Sequence, residues 1–244
     1  MDIVHNIRLI KDRMQKACES CGRKSEEVRL LLATKTVPPD VIIEAFNAGE
    51  RLIGENKVQE LTSKAEALSG YTHESHFIGH LQSNKIKDVI KYASCIQSID
   101  RLDLAEKLEK RLEAEGKMMN IFVQVNTSEE ESKFGCKKEE AISLIEKIAP
   151  LPHLKITGLM TIGLFSDDVR LTRPCFKVLS NIKKEVEALH ILKDTTLELS
   201  MGMSGDFEVA IEEGATIIRV GTSIFGKRIY ADSYYWNDAK GNAD

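Results

Sequence analysis

The chain has 244 residues and a formal net charge of −4, with 34 Lys plus Arg set against 38 Asp plus Glu. That length suits one large α/β domain over 1–244, and the balanced charge excludes the broad basic field that would hold nucleic acid or anionic lipid. The five cysteines, Cys18, Cys21, Cys95, Cys136 and Cys175, are odd in number and scattered, which argues against a disulfide framework and for a reducing, cytoplasmic setting.

In chain order, the first expected element is a helix over about 1–22. Ile3, Ile7, Ile10, Met14 and Ala17 fall on one helical stripe, so this is a docking helix that packs on the rest of the domain. It lacks the unbroken apolar core of a signal peptide, and Asp2, Asp12 and Glu19 argue against a transit peptide. No later run approaches the roughly 20 apolar residues of a membrane span.

From Val28 onward one pattern repeats: a short aliphatic run, a small or polar residue at its end, then an amphipathic charged stretch. The apolar runs lie at 29–37, 51–56, 75–80, 95–100, 120–127, 155–162, 196–202 and 216–226. Eight strands alternating with helices predict a single (β/α)8 TIM-type barrel carrying an extra N-terminal helix. An open doubly wound sheet uses the same alternation. The strand count and the lack of a GxGxxG fingerprint after the first strand favour closure. A short tail over about 229–244 is too small to form a further domain.

In a closed barrel the strand ends converge on one mouth, where sites form. The first run carries Lys35 among apolar residues, ahead of Pro38 and Pro39. A lone strand lysine is more often solvated or snorkelling. Alternation nevertheless puts Lys35 on the face of Leu31 and Ala33, toward the mouth or lumen. A partly desolvated lysine has a lowered pKa and becomes the nucleophilic amine that an imine with an aldehyde requires.

Asn56 and His80 end the second and third runs; Asn56 can bond a ring hydroxyl, while helix capping and a satisfied structural histidine are the plainer readings of the pair. After the seventh run, SMGMSGD places Ser204 ahead of a helix, and after the eighth, RVGTS offers Gly221 and Thr222. Loops after strands seven and eight are the recurring phosphate site of such barrels. Arg219, two residues before Gly221, shares its face; if it points to the mouth, its guanidinium can donate to a heteroaromatic nitrogen and keep that nitrogen unprotonated. An ion pair with an interior carboxylate is the alternative.

Metal chemistry finds no support. Cys18 and Cys21 form a CxxC inside a helix without a second pair, and His73 and His76 are spaced one residue too close for the HExxH pattern.

The strings LLATKT, IGENKVQEL, FIGHLQSNK, VNTSEEESKFG, GLMTIG, ELSMGMSGDFEVAI and IRVGTSIFG together resemble, in order and spacing, the pyridoxal phosphate homeostasis protein family, a relative of the alanine racemase barrel domain. The resemblance implies pyridoxal 5'-phosphate (PLP) as a Schiff base on Lys35, Arg219 facing the pyridine nitrogen, and Ser204, Gly221 and Thr222 holding the phosphate. Asn56, His80 and Met203 would line the pocket. It also implies a role in vitamin B6 balance, with PLP-dependent apoenzymes as candidate recipients and a monomeric state.

A racemase needs acid and base groups on both faces of the cofactor, which alanine racemases complete from a second domain. Too few residues follow the eighth run to build one, so a non-catalytic carrier outranks a PLP-dependent amino-acid racemase. A Schiff-base aldolase is the third reading, and it predicts a colourless protein.

Overall fold

The computed structural model describes residues 2–130, 132–164, 166, 168–193 and 195–226. The apolar runs fold into parallel strands: β1 (Arg29–Ala33), β2 (Leu52–Glu55), β3 (Glu74–Phe77), β4 (Cys95–Ile99), β5 (Met119–Asn126), β7 (Leu154–Met160), β8 (Glu198–Ser200) and β9 (Ile217–Val220). They pair in the order β4-β3-β2-β1-β9-β8-β7-β5, and a further β4–β5 pairing closes the ring. The expected eight-stranded (β/α) barrel is therefore what forms. One extra two-residue strand, β6 (Cys136–Lys137), pairs with the end of β5 outside that ring.

The helices form in the stretches between the runs: α2 (Pro39–Asn47), α3 (Val58–Leu68), α4 (Ile86–Tyr92), α5 (Leu102–Glu115), α6 (Ala141–Ile148), α7 (Val169–Ala188) and α8 (Phe207–Glu212); α9 (Thr222–Phe225) instead takes the end of the run 216–226 that was expected as strand. Pro38 and Pro39 start α2, where a missing N–H costs nothing. The strands bury outward-facing residues such as Leu30, Leu32, Ile53 and Phe77 against this ring of helices. A second, smaller apolar cluster fills the lumen with Leu31, Leu52, Ile78, Cys95, Phe122, Met160 and Ile217. The period of two along each strand thus sorts side chains between two cores.

The N-terminal helix α1 (Ile3–Ser20) begins at an Asp2 cap that accepts from the His5 N–H at 2.8 Å. All five positions of the expected stripe are buried, and the helix packs on α2, α8 and α9. Asn6 donates to the Ile224 carbonyl at 2.9 Å and Arg23 to the Ile211 and Ala215 carbonyls at 2.8 Å, fastening the start of the chain over the last barrel unit. Cys18 is buried in this packing and burial pushes its thiol pKa up, whereas Cys21 is an exposed cap residue. The CxxC is therefore a helix-packing feature. Among the described residues no helix is long and apolar enough to cross a membrane, and no group of three or more His, Cys, Asp or Glu is placed to hold a metal ion. The tail expected over 229–244 lies outside the described residues.

Candidate functional site

The positions singled out in the sequence all sit at the C-terminal ends of the strands. Lys35 follows β1 by two residues, Asn56 follows β2 directly, and His80 lies three residues past β3. Arg219 is inside β9, with Gly221 and Thr222 just beyond, and Met203 and Ser204 follow β8. Strands β3, β2, β1, β9 and β8 are consecutive neighbours in the ring. One continuous arc of the rim therefore carries all eight candidates.

Lys35 lies in a turn beyond the strand rather than in its last rung, and it is half-buried. The turn is held on both flanks. Thr34, fully buried, donates its N–H to the Gly54 carbonyl at 3.0 Å and its hydroxyl to Glu55 Oε1 at 2.7 Å. Thr36 takes a left-handed φ of 63°, unusual for a β-branched residue, and its N–H is caught by Glu60 Oε2 at 2.5 Å. Lys64 from α3 completes the brace, donating to the Thr34 carbonyl, Glu55 Oε1 and Glu60 Oε2, each at 2.8 Å. Burial pushes the Glu55 carboxyl up, and Lys64 opposes that shift. A backbone strain of about 1–3 kcal/mol is tolerated only where the surroundings over-determine it, and here they do. Lys64 and Glu60 escaped the sequence reading, because their i,i+4 spacing on α3 looks like an ordinary solvated face, and Glu55, at the end of β2, gave no sign of its buried partners.

On the β9–β8 side, the Thr222 hydroxyl donates to Ser204 Oγ at 3.2 Å, so the two expected phosphate ligands stand together. Ser204 is half-buried and Thr222 exposed, which leaves the pair open to a ligand. Asp206 caps the turn between them and α8: its Oδ1 accepts the Met203 N–H at 2.6 Å. Burial raises the Asp206 pKa, and the same carboxylate lies close enough to Arg219 to help hold that guanidinium charged.

Arg219 pairs in register with Leu31, a lumen residue, so its side chain enters the barrel. It donates through Nη1 to Ser200 Oγ at 2.8 Å and through Nη2 to the Thr161 carbonyl at 2.7 Å. Burial lowers its pKa to about 10, which still leaves it cationic at neutral pH. Neutral acceptors fix its orientation, and the buried Asp206 carboxylate adds a favourable charge interaction.

Asn56 does not cap α3, whose N-cap residue is Lys57; instead its Oδ1 is buried without a hydrogen-bond partner. The His80 ring stacks on Phe134 with centroids 3.9 Å apart, and its Nδ1 is likewise buried without a partner. Burial holds the His80 pKa below the usual imidazole value, against the opposing pull of Asp100 3.9 Å away. Backbone comes close at the same places. A Cβ on Gly79 would stand 1.9 Å from the Asn56 carbonyl oxygen, and one on Gly221 would stand 2.9 Å from the Ala33 carbonyl oxygen. Glycine is what lets adjacent strand ends draw together around the rim.

A phosphorylated pyridine aldehyde fits these groups. It needs hydroxyl and amide donors for the phosphate, an amine for the aldehyde, a donor facing the ring nitrogen, and polar atoms for the ring hydroxyl. Paired hydroxyls at Ser204 and Thr222, a braced Lys35, an inward Arg219, and orphaned polar atoms on Asn56 and His80 meet that list.

Comparison with known proteins agrees with the fold. The sequence model of the alanine racemase N-terminal domain family matches residues 2–229. A pyridoxal phosphate homeostasis protein from Aquifex aeolicus (strain VF5) is 42% identical over 230 residues, covering 94% of this chain and 100% of that protein. The crystal structure of an unknown protein from Bifidobacterium adolescentis superposes with a TM-score of 0.86 at 41% identity, over 91% of this chain and 94% of the other. PipY of Synechococcus elongatus PCC7942, in a structure with PLP bound, superposes with a TM-score of 0.80 at 30% identity, over 92% of this chain and 100% of PipY. The chain belongs to the pyridoxal phosphate homeostasis protein family, within the wider group that shares the alanine racemase N-terminal domain.

Proposed function

We propose that this chain holds PLP as a Schiff base on Lys35 at the barrel mouth and serves the balance of the cofactor in the cell, without catalytic turnover of its own. The observation that carries the reading is the single rim arc. The amine, the paired phosphate hydroxyls and the inward guanidinium sit in or just beyond three consecutive strands, β1, β9 and β8. Full-length similarity to pyridoxal phosphate homeostasis proteins supports it, as does a PLP-bound relative at 30% identity.

When bound, PLP supplies an aldehyde carbon for the amine and a ring able to delocalise charge. The chain's residues then have separate tasks. Ser204 and Thr222 donate hydroxyl hydrogen bonds to the phosphate, with Gly221 allowing close backbone approach. Arg219 has only donors to offer, so it cannot hold a proton on the ring nitrogen, and an unprotonated ring is a weak electron sink. That arrangement favours retention over reaction at the amino-acid Cα. Asn56 and His80 supply polar atoms to the pocket edge, and Met203 lines it beside Ser204.

In this reading the chain works as a monomer of one barrel domain in the cytoplasm, with PLP-dependent apoenzymes as recipients. A racemase is the second reading, favoured by the match to the alanine racemase N-terminal domain. Loaded protein incubated with L-alanine and a panel of other amino acids separates the two. The carrier racemises no faster than the same concentration of free PLP, and it transfers cofactor to an apo-transaminase, measured as recovered transaminase activity. Turnover about 100-fold or more above free PLP, roughly 2.7 kcal/mol of barrier lowering, would make it an enzyme.

A further inference from the structure

Arg219 is the top of a hydrogen-bond chain that runs down the barrel lumen to its opposite end. Its Nη1 donates to Ser200 Oγ at 2.8 Å, and the Ser200 hydroxyl donates to Gln97 Oε1 at 2.6 Å. Gln97 Nε2 lies 2.8 Å from His76 Nδ1, and His76 Nε2 lies 3.5 Å from Glu74 Oε2. Glu74 also accepts from Arg29 at 2.6 Å, and Arg29 in turn lies 3.6 Å from Glu198. Arg29, Glu74 and Glu198 are the first residues of β1, β3 and β8, at the end of the barrel away from the candidate site. Ser200, Gln97 and His76 are all buried.

Both ends force the same direction on this chain. A guanidinium only donates, so Ser200 Oγ must accept from it and spend its one proton on Gln97 Oε1. That turns the Gln97 amide nitrogen toward His76 Nδ1, which must then accept, leaving the ring proton on Nε2 facing Glu74. At the far end, hydrogen bonds from His76 and then Arg29 hold the Glu74 pKa down at about 2, so its carboxylate only accepts. No member can be rotated without orphaning a buried polar group, which costs about 1–3 kcal/mol.

We infer that Ser200, Gln97 and His76 are positioning residues: their one-way hydrogen-bond chain holds the Arg219 guanidinium in the orientation that faces the ring nitrogen of bound PLP. The inference rests on the PLP reading above. A satisfied buried network with no such task would stabilise the barrel and leave the cofactor's electronic state untouched. A positioning chain must alter it, because displacing a cation beside the ring changes the proton affinity of the Schiff-base nitrogen.

The test is a spectrophotometric pH titration of the PLP Schiff base in wild type, Gln97→Leu, Gln97→Met, His76→Leu and His76→Asn. Borohydride incorporation at Lys35 is scored separately in each. Withdrawing or neutralising the cation's field makes the Schiff-base nitrogen more basic. Gln97→Leu, Gln97→Met and His76→Leu should therefore raise the titration midpoint by about half a unit or more, with one cofactor still reduced onto Lys35. His76→Asn keeps an acceptor near the Nδ1 position and should return the midpoint to within about 0.2 units of wild type. Wild-type midpoints in all loaded variants would overturn the inference while leaving the PLP reading intact. If either leucine variant does not fold, the uncharged, similarly sized Gln97→Met, which leaves Ser200 without its oxygen acceptor, decides alone by the same criterion. Absence of any Schiff-base band in wild type would instead overturn the PLP reading.

Discussion

Lys35→Ala is expected to lose the visible Schiff-base band completely and to bind PLP at least about 100-fold more weakly, since only the non-covalent contacts remain. The loss reflects chemistry at one nitrogen, so Lys35→Arg, which keeps the charge but forms no Schiff base under these conditions, should fail in the same way. Lys35 is half-buried in a turn whose backbone is held by Thr34, Thr36, Glu60 and Lys64. Neither variant removes those contacts, so the apo proteins should still unfold cooperatively in a denaturant titration. A folded variant that retains the band would remove Lys35 from its assigned role.

The phosphate carries the second large effect. Ser204 and Thr222 present hydroxyls 3.2 Å apart beside a tight turn at Gly221. Hydrogen bonds to a charged group contribute about 1.5–3 kcal/mol each, so wild type should prefer PLP over pyridoxal by about 100-fold or more. Isothermal titration or spectral titration with the two vitamers measures the ratio directly. The Ser204→Ala, Thr222→Ala double variant should cut that preference by about tenfold or more, mainly through weaker PLP binding, because pyridoxal makes no use of the two hydroxyls. Equal affinity of the wild-type protein for both vitamers would place the phosphate elsewhere.

The sequence pattern was sufficient for the barrel because a period of two in each run and a helical period between runs leave few alternatives. The rim positions of Lys35, Asn56, His80, Ser204, Arg219 and Thr222 were legible as polar residues in or just after apolar runs, while their roles came from the family resemblance. The pattern did not reveal what surrounds them. His76 read only as half of a failed zinc spacing, and nothing singled out Gln97 or Ser200; their common direction into the lumen depends on ring closure, which brings β3, β4, β8 and β9 around one axis. Strand lengths were overestimated where a run continues into its loop: β1 stops at Ala33, so Lys35 owes its placement to a braced turn and not to strand alternation. Asn56 read as a helix cap because capping is a local, common use of asparagine, whereas an orphaned buried Oδ1 is a property of the assembled rim. The two-residue strand β6 falls below any length at which periodicity can be seen.

Borohydride reduction of the PLP-loaded wild-type chain, followed by proteolysis and mass mapping, addresses the central claim most directly. One reduced pyridoxyl phosphate adduct per chain, on the peptide containing Lys35 and no other lysine, is the predicted result. An adduct confined to a different lysine, or a protein that binds PLP and yields no adduct at all, would contradict it.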